Sequence, residues 1–506
     1  MITFFIGLSI LALGYFTYGR VIERLFGINP VRLVPAIKNT AVFEDKQVLP
    51  HWKCMLIHFL HIAGIGPVVG VILGAKFGPV VFLIIPIGNI FGGAVHDYFS
   101  GMISMRNKAS SYLEISKKFF GKTFAFFATI FMMVTLFTLA AAFTNVSAGI
   151  LNSSHINQTF NKTNPVSPYF FWVCLVFSYY ALSTFFPIGS FVSKASNVFG
   201  AILICAAGAA LVFLFNHLPM LPEFDIINFA NNFTQHPQGQ PILPMLFVTI
   251  ACGIISGFHG SQNSITAGIE SRERNGRQTF YGMMVMEGFL AMIWAAVGVT
   301  GYALYPELTQ KFNGAFILSE MIRGLISFKF LAELILFSVV ILAITTADAA
   351  LRVLRLLISD AFNLKQKSSE DRFLLCLPIL GVCAMMVFWS NLVPEGFAIL
   401  WNYFSLMNQI IGVIGLAIAV CYMVAKKKPF TCLLIPLAFL SYVVFLYLFW
   451  ISPQHIVNAP KGFGLSYPIS CVMASICAAV VCFCCLQNGK RLAKLVEEKK
   501  FSPDSD

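Results

Sequence analysis

Apolar residues run in blocks of about 20 along nearly the whole chain, each long enough to cross a bilayer core as a helix. The blocks predict thirteen membrane helices, near residues 2–19, 52–75, 79–103, 123–150, 169–187, 197–217, 242–269, 279–304, 330–350, 373–392, 396–424, 430–451 and 466–486. Segment 315–326 is shorter and mixed, and reads as a helix lying at the interface. The first block is apolar from Met1, without a basic leader or a small-residue cleavage site, so it is expected to be a retained helix.

The polar positions between blocks carry the orientation. If the first helix runs inward, all but six of the 34 Lys and Arg residues fall on the inner face. The six are Lys76, Lys162, Lys311, Arg323, Lys329 and Lys461, and the long outer loop from His217 to Pro241 contains none. That bias predicts an outside N-terminus, a cytoplasmic C-terminus and a multi-pass protein of a cytoplasmic membrane.

Composition then excludes alternatives. The 506 residues are 58% hydrophobic and 11% charged, leaving no block for a soluble domain. The net charge of +12 lies in short loops, so it reads as orientation and not as a nucleic-acid surface. Cys482, Cys484 and Cys485 lack a histidine partner and read as apolar packing. Asn152, Asn157, Asn161 and Asn232 each begin an Asn-x-Ser/Thr triplet, which is a glycosylation acceptor or a coincidence of Asn-rich loops.

Two spans carry polar residues at mid-membrane: "HFLHIAGIGPVVG", His58 to Gly70, and "GIISGFHGSQNS", Gly253 to Ser264. In the first, two glycines precede Pro67, which favours an interruption and a restart with proline in the first turn. In the second, glycines loosen the helix, and Ser261 or Asn263 could cap the resumed segment. Counted from the helix at 52–75, these are the first and sixth spans, crossing in opposite directions. That spacing predicts two five-helix repeats of inverted orientation, at 52–217 and 242–424, joined by an external loop at 218–241. Residues 1–51 form an extra helix and cytoplasmic loop, 425–486 two further helices, and 487–506 a cytoplasmic tail. Glycines that merely allow close helix packing are the competing explanation, weakened by their paired positions. A broken helix facing a cavity offers free amides to a carboxylate and free carbonyls to a cation.

Ionisable side chains within spans are costly and invite a role. Asp97 and Asp348 lie near inner helix ends, where pairing with Arg106, Arg352 or Arg355 would satisfy them; gating or proton coupling is the alternative. Glu287 lies about two turns into its helix, deep enough to make its charge costly and the residue a candidate proton carrier. His58 and His61, three apart, share a face, which suits a proton role or a satisfied buried histidine better than a metal.

These stretches resemble the carbon starvation (CstA) family of bacterial inner-membrane transporters. The likeness covers "HFLHIAGIGPVVGVILGAKFG" (58–78), "GGAVHDYFSGMISMRNKASSYLEI" (92–115), "IACGIISGFHGSQNS" (250–264), "MVMEGFLAMI" (284–293), "LAITTADAALRVLRLLISD" (342–360) and "LWNYFSLMNQ" (400–409). His58, Gly64, Gly66 and Pro67 fall on the family's first broken-helix motif, Asp97 on Ala-Val-x-Asp, and Ser256, Gly257, Phe258 and His259 on Ser-Gly-Phe-His. His61 and "GSQNS" depart from it beside the expected site. The resemblance implies secondary active transport of peptides, or of pyruvate with a proton, in a fold of the amino acid–polyamine–organocation (LeuT-type) class. In that class a sodium site lies between the eighth core helix and the first broken one, making Thr345 and Thr346 candidates by analogy. A threonine bonded to its own helix is the commoner arrangement.

The expectation is an all-α polytopic importer of a small organic anion or short peptide. Gly64, Gly66, Pro67, Ser256, Gly257, Phe258, His259, Gly260 and Ser261 would bind substrate. His58, Asp97, Glu287, Thr345, Thr346 and Asp348 would couple or gate. The coupling ion is a proton, with sodium the alternative, and no cofactor or metal is expected. A passive channel or a sensing component is the competing class, and no nucleophile–base pair points to an enzyme.

Overall fold

The computed structural model describes residues 1–33, 48–154, 168–185, 198–202, 205–206, 208–212, 220–311, 313–362, 364, 368–393, 396–450 and 463–504. Glycosylation triplets at Asn157 and Asn161 lie outside these residues, as does part of the helix expected at 197–217. Among the described residues the chain is helical, with one isolated β-bridge between Leu33 and Arg272. Nine helical stretches among them are long and apolar enough to cross a membrane.

In chain order the elements are α1 (Ile2–Phe16), α2 (Tyr18–Phe26), α3 (His51–Ile62), α4 (Gly66–Gly70, continued as Val71–Gly74), α5 (Val81–Gly88), α6 (Ala94–Arg106), α7 (Tyr112–Phe120), α8 (Lys122–Ser153) and α9 (Pro168–Phe185). There follow α10 (Ala251–Ile254), α11 (Gly257–Ala267), α12 (Met283–Leu304), α13 (Gly314–Leu325), α14 (Lys329–Phe362), α15 (Ser369–Leu392), α16 (Gly396–Ala425), α17 (Thr431–Trp450) and α18 (Tyr467–Glu497). Both spans expected to be interrupted are interrupted, at 63–65 and at 255–256. Gly78, at φ +80°, turns the chain between α4 and α5, where a Cβ would fall 2.0 Å from Gln235 Oε1.

Large apolar side chains such as Phe126, Leu374 and Phe483 are exposed on the outside of the bundle, where lipid would cover them. Polar and charged side chains such as Asn89, Asp97, Gln262 and Glu287 are buried inside. The α12 stretch is the most enclosed and α18 the most peripheral. Two helices run further than their apolar blocks, α14 to Phe362 and α18 to Glu497, because polar residues extend a helix once it leaves the bilayer core. A capping box of Ser111 and Glu114 starts α7, a helix that apolar periodicity does not announce.

The two ends of the bundle are held differently. At one, the N-terminal amine pairs with Glu223, and the Ile2 amide and Thr3 Oγ1 donate to the same carboxylate at 2.6 and 2.8 Å. Lys311 and Gln238 lie in this same group of loops, bonded to Lys76 and to Thr309. At the other, Arg106 joins Glu273, the Gly27 carbonyl at 2.9 Å and Tyr422 Oη at 3.0 Å, and Asp504 of the C-terminal tail docks on Tyr422 and Lys426. Asn232 is not available as a sugar acceptor: it is buried, and its amide donates to the Asp225 and Phe229 carbonyls at 2.7 and 3.0 Å.

Candidate functional site

The first interruption follows from its residues. The α3 helix ends as Ala63 leaves helical geometry (ψ +60°), and the Gly64 amide turns back onto the Ile62 carbonyl at 2.7 Å. The chain restarts with Pro67 in the first turn, where the missing N–H costs nothing. Gly64 is held close: a Cβ there would lie 2.6 Å from the Phe143 ring and 2.9 Å from Thr346 Oγ1.

At the second interruption Ser256 is extended (φ −129°, ψ +122°) and α11 begins at Gly257. A Cβ on Gly257 would meet the Asn408 carbonyl at 2.3 Å and the Gly412 amide at 2.4 Å, so only glycine lets α11 start against α16. The cap expected from Ser261 or Asn263 comes instead from across the bundle. Asn408 Oδ1 accepts the orphan Phe258 amide at 2.8 Å, and its Nδ2 donates to Ser256 Oγ at 3.1 Å. Ser261 Oγ donates to its own helix at Phe258, while Asn263 Nδ2 reaches the Asp97 carbonyl and Ser100 Oγ. Next to it Gln409 Nε2 holds the Phe247 carbonyl at 2.6 Å, above the same break. The Asn-Gln pair of "LWNYFSLMNQ" thus pins the second broken helix on both sides. Asn408→Ala is expected to cost about 1–2 kcal/mol as a lost helix cap, read as a lower unfolding temperature, with Asn408→Asp recovering part of that loss because it retains the acceptor.

Between the breaks stands a buried chain of ionisable groups. His96 Nδ1 lies 2.9 Å from Asp97 Oδ1, and His259 Nδ1 lies 2.9 Å from Asp97 Oδ2. On its other side His259 Nε2 faces Glu287 at 3.6 Å, beyond hydrogen-bond distance. Asp97, His259 and Glu287 are all fully buried. Asp97 is therefore not satisfied by Arg106, which turns away to Glu273. One imidazole flanked by two carboxylates is a set whose proton count can change by one, with the charge shared by the group.

Other expected residues separate from this chain. Asp348 takes the structural arrangement, accepting from Arg352 Nε at 3.1 Å and Ser183 Oγ at 2.7 Å. His58 and His61 diverge despite sharing a helix: His58 Nδ1 pairs with Thr266 Oγ1 on α11 at 2.9 Å, and the electrostatic neighbours of His61 are Asp348 and Arg352. Thr345 Oγ1 bonds its own helix at Ile341 (2.8 Å) and also reaches the Leu60 carbonyl at 3.2 Å, which Thr346 Oγ1 reaches at 3.3 Å. Gly260 packs on Tyr112 and His96, away from the break. His96 and Asn408 are the residues sequence reading passed over. Each was visible as a polar group inside an apolar span, but its partner lies on a different helix.

The family model described as carbon starvation protein CstA matches residues 1–163, 162–315 and 306–446. The chain belongs to the CstA family. It is 26% identical to the peptide transporter CstA of Bacillus subtilis, across 91% of each chain. An uncharacterized membrane protein of Haemophilus influenzae is 33% identical over 60% of this chain and 91% of its own. The pyruvate/proton symporter BtsT of Escherichia coli is 25% identical over 54% of this chain and 45% of its own. Among solved structures, a manganese transporter of Eremococcus coleocola superimposes with a TM-score of 0.57 at 13% identity, over 89% of this chain and 99% of that one. MhsT in complex with L-phenylalanine gives 0.54 at 14% identity, over 87% and 99%. At such identity these likenesses speak for the fold alone, which is that of the LeuT-type transporters. This CstA-family chain is a multi-pass membrane protein whose relatives and structural neighbours are transporters, not enzymes.

Proposed function

We propose that the chain is a cation-coupled symporter that imports a small substrate bearing a carboxylate, either a short peptide or a monocarboxylate such as pyruvate. The observation that carries this reading is the Asp97–His259–Glu287 chain beside both helix breaks. The helix starts at the two breaks, Gly64 to Pro67 and Ser256 to His259, would receive the substrate carboxylate through amides other than those of Gly64 and Phe258, which Ile62 and Asn408 already hold, since amides at a helix start favour an anion. His259, between the Asp97 and Glu287 carboxylates, would take up the coupling proton. The relatives named as peptide transporter and pyruvate/proton symporter support both substrate classes.

In this reading the protein has thirteen spans with an inverted five-plus-five core, an outside N-terminus and no cofactor. Sodium is the alternative coupling ion, favoured by the convergence of Thr345 and Thr346 hydroxyls on the Leu60 carbonyl. Labelled pyruvate uptake into liposomes under an inward proton gradient tests the proposal, with dialanine as competitor. Concentrative uptake that an uncoupler abolishes and dialanine leaves unchanged identifies a proton-driven monocarboxylate carrier. Absence of pyruvate uptake under a verified gradient transfers the test to labelled dialanine with sodium varied; failure there as well rejects the symporter.

A further inference from the structure

The last helix, α18, carries a stripe that changes chemistry without changing face. Ile469, Met473, Ile476, Val480 and Phe483 recur every three or four residues and are between 38% and 62% exposed. Gln487, Lys490, Arg491 and Lys494 continue that spacing and are exposed as well. The other face is held. Ala478, Cys485, Gly489 and Leu492 are buried. Cys421 Sγ donates to the Cys485 carbonyl at 3.3 Å, and Asn488 Nδ2 to the Phe119 carbonyl at 3.0 Å. A Cβ on Gly489 would fall 2.7 Å from Val424, so α18 sits tight on α16. The helix therefore cannot turn its basic side chains toward the bundle.

Their depth follows from helix geometry. A bilayer core of about 30 Å takes about 20 helical residues, and from Tyr467 it ends near Leu486. Lys490 and Arg491 stand about 6–8 Å further along the axis, at the depth of the headgroups. Lys494 is about 12 Å beyond Leu486 on the same face. Helical side chains lean toward the N-terminus of their helix, here back toward the apolar stripe. Long stems lie over apolar surface and leave the charged ends at the interface.

The charge is not cancelled locally. Residues 490–500 hold five basic side chains and two acidic ones. Glu498 pairs with Lys500 at 2.8 Å, and Glu497 with Lys427, leaving Lys494 its weaker neighbour. Among the described residues no acid lies within ion-pair distance of Lys490 or Arg491. Membrane orientation does not explain the arrangement. The positive-inside bias counts basic residues near a span and is indifferent to the helix face they occupy. A merely solvated run would not need to continue the lipid-facing stripe.

We propose that the basic end of α18 is a docking surface for an anionic phospholipid, its acyl chain along Ile476, Val480 and Phe483 and its phosphate held by Lys490, Arg491 and Lys494. Charge complementarity selects the headgroup, and the unbroken stripe selects a lipid over a soluble anion. The surface is independent of the transported substrate and of which face of the membrane the tail occupies.

The test titrates the delipidated full chain in detergent with dioleoyl phosphatidylglycerol or dioleoyl phosphatidylcholine, counting bound lipid by native mass spectrometry. Three triple variants are compared after their unfolding temperatures are matched to the wild type. The first is Lys490→Gln/Arg491→Gln/Lys494→Gln, and the second, Lys490→Arg/Arg491→Lys/Lys494→Arg, keeps the charge. The third, Arg20→Gln/Arg24→Gln/Arg274→Gln, removes equal charge from exposed positions elsewhere. The first is expected to bind phosphatidylglycerol about tenfold or more weakly, because each basic residue near an anionic lipid contributes about fivefold. The second and third should stay within about twofold, and phosphatidylcholine binding should not respond. Should the first variant not fold, Arg491→Gln alone, expected to weaken binding about fivefold, carries the same test. Unchanged phosphatidylglycerol binding in a folded first variant overturns the proposal, as does a wild type that prefers neither lipid. An equal loss in the third variant also overturns it, by assigning the effect to diffuse surface charge. Glycerol 3-phosphate bound as tightly as the lipid would identify a soluble-anion site instead.

Discussion

His259→Ala is expected to reduce concentrative uptake about 100-fold or more, the scale set by removing one partner of a buried charged set at about 3–5 kcal/mol. The ring holds Asp97 through Nδ1 at 2.9 Å and stands 3.6 Å from Glu287 through Nε2. Alanine leaves both carboxylates buried without that imidazole, and neither can stay charged cheaply. Part of the loss would therefore be folding. His259→Gln separates the two effects, because its amide can still donate to Asp97 but cannot take up a proton. The expected result is a stable His259→Gln protein that exchanges substrate down a gradient yet no longer concentrates it when a proton gradient is imposed. Unchanged KM and pH dependence in both variants would remove His259 from the coupling scheme, and Glu287→Gln would then be examined alone.

The interruptions were legible because their causes are local. Gly64, Gly66 and Pro67 lie within four residues, and Gly257 with its neighbours carries the same message in the second span. The long apolar blocks were legible for the same reason, since a bilayer demands about 20 apolar residues in a row. What the chain does at the breaks was not. Asp97 and His259 are 162 positions apart, and Asn408 lies 150 from the amide it caps. No periodicity links such partners; only the packing of α6, α11 and α16 does. The arginine expected beside Asp97 illustrates the limit: Arg106 is two and a half turns further along the same helix, yet points to Glu273. Asp348 met its expected partner because Arg352 is four residues away on the same face, a spacing that sequence does encode.

Arg106→Ala is expected to cost about 3–5 kcal/mol of stability, the largest loss from a single side chain outside the breaks. The guanidinium is buried at the C-terminal end of α6, where its Nε donates to Glu273 at 3.0 Å and its other nitrogens to Tyr422 and Gly27, with Phe26 stacked 4.2 Å away. It ties together the α2 end, the loop after α11 and α16, and through Tyr422 the tail. Lysine keeps the charge but loses the planar fork and the stacking, so Arg106→Lys should recover only part of the loss in unfolding temperature. The tail adds a pH dependence of known sign. Burial pushes the Asp504 carboxyl up, but the bonds from Lys426 and Tyr422 outweigh it and hold the group below its ordinary 3.8. A depressed acid stabilises the docked tail fully above that ordinary value and loses the contribution as pH falls through the lower folded-state value. Protease protection of residues 498–504 should therefore be flat between about pH 5 and 8 and fall in stronger acid. In Asp504→Asn that acid step should disappear, and a step that persists would assign the release to another group.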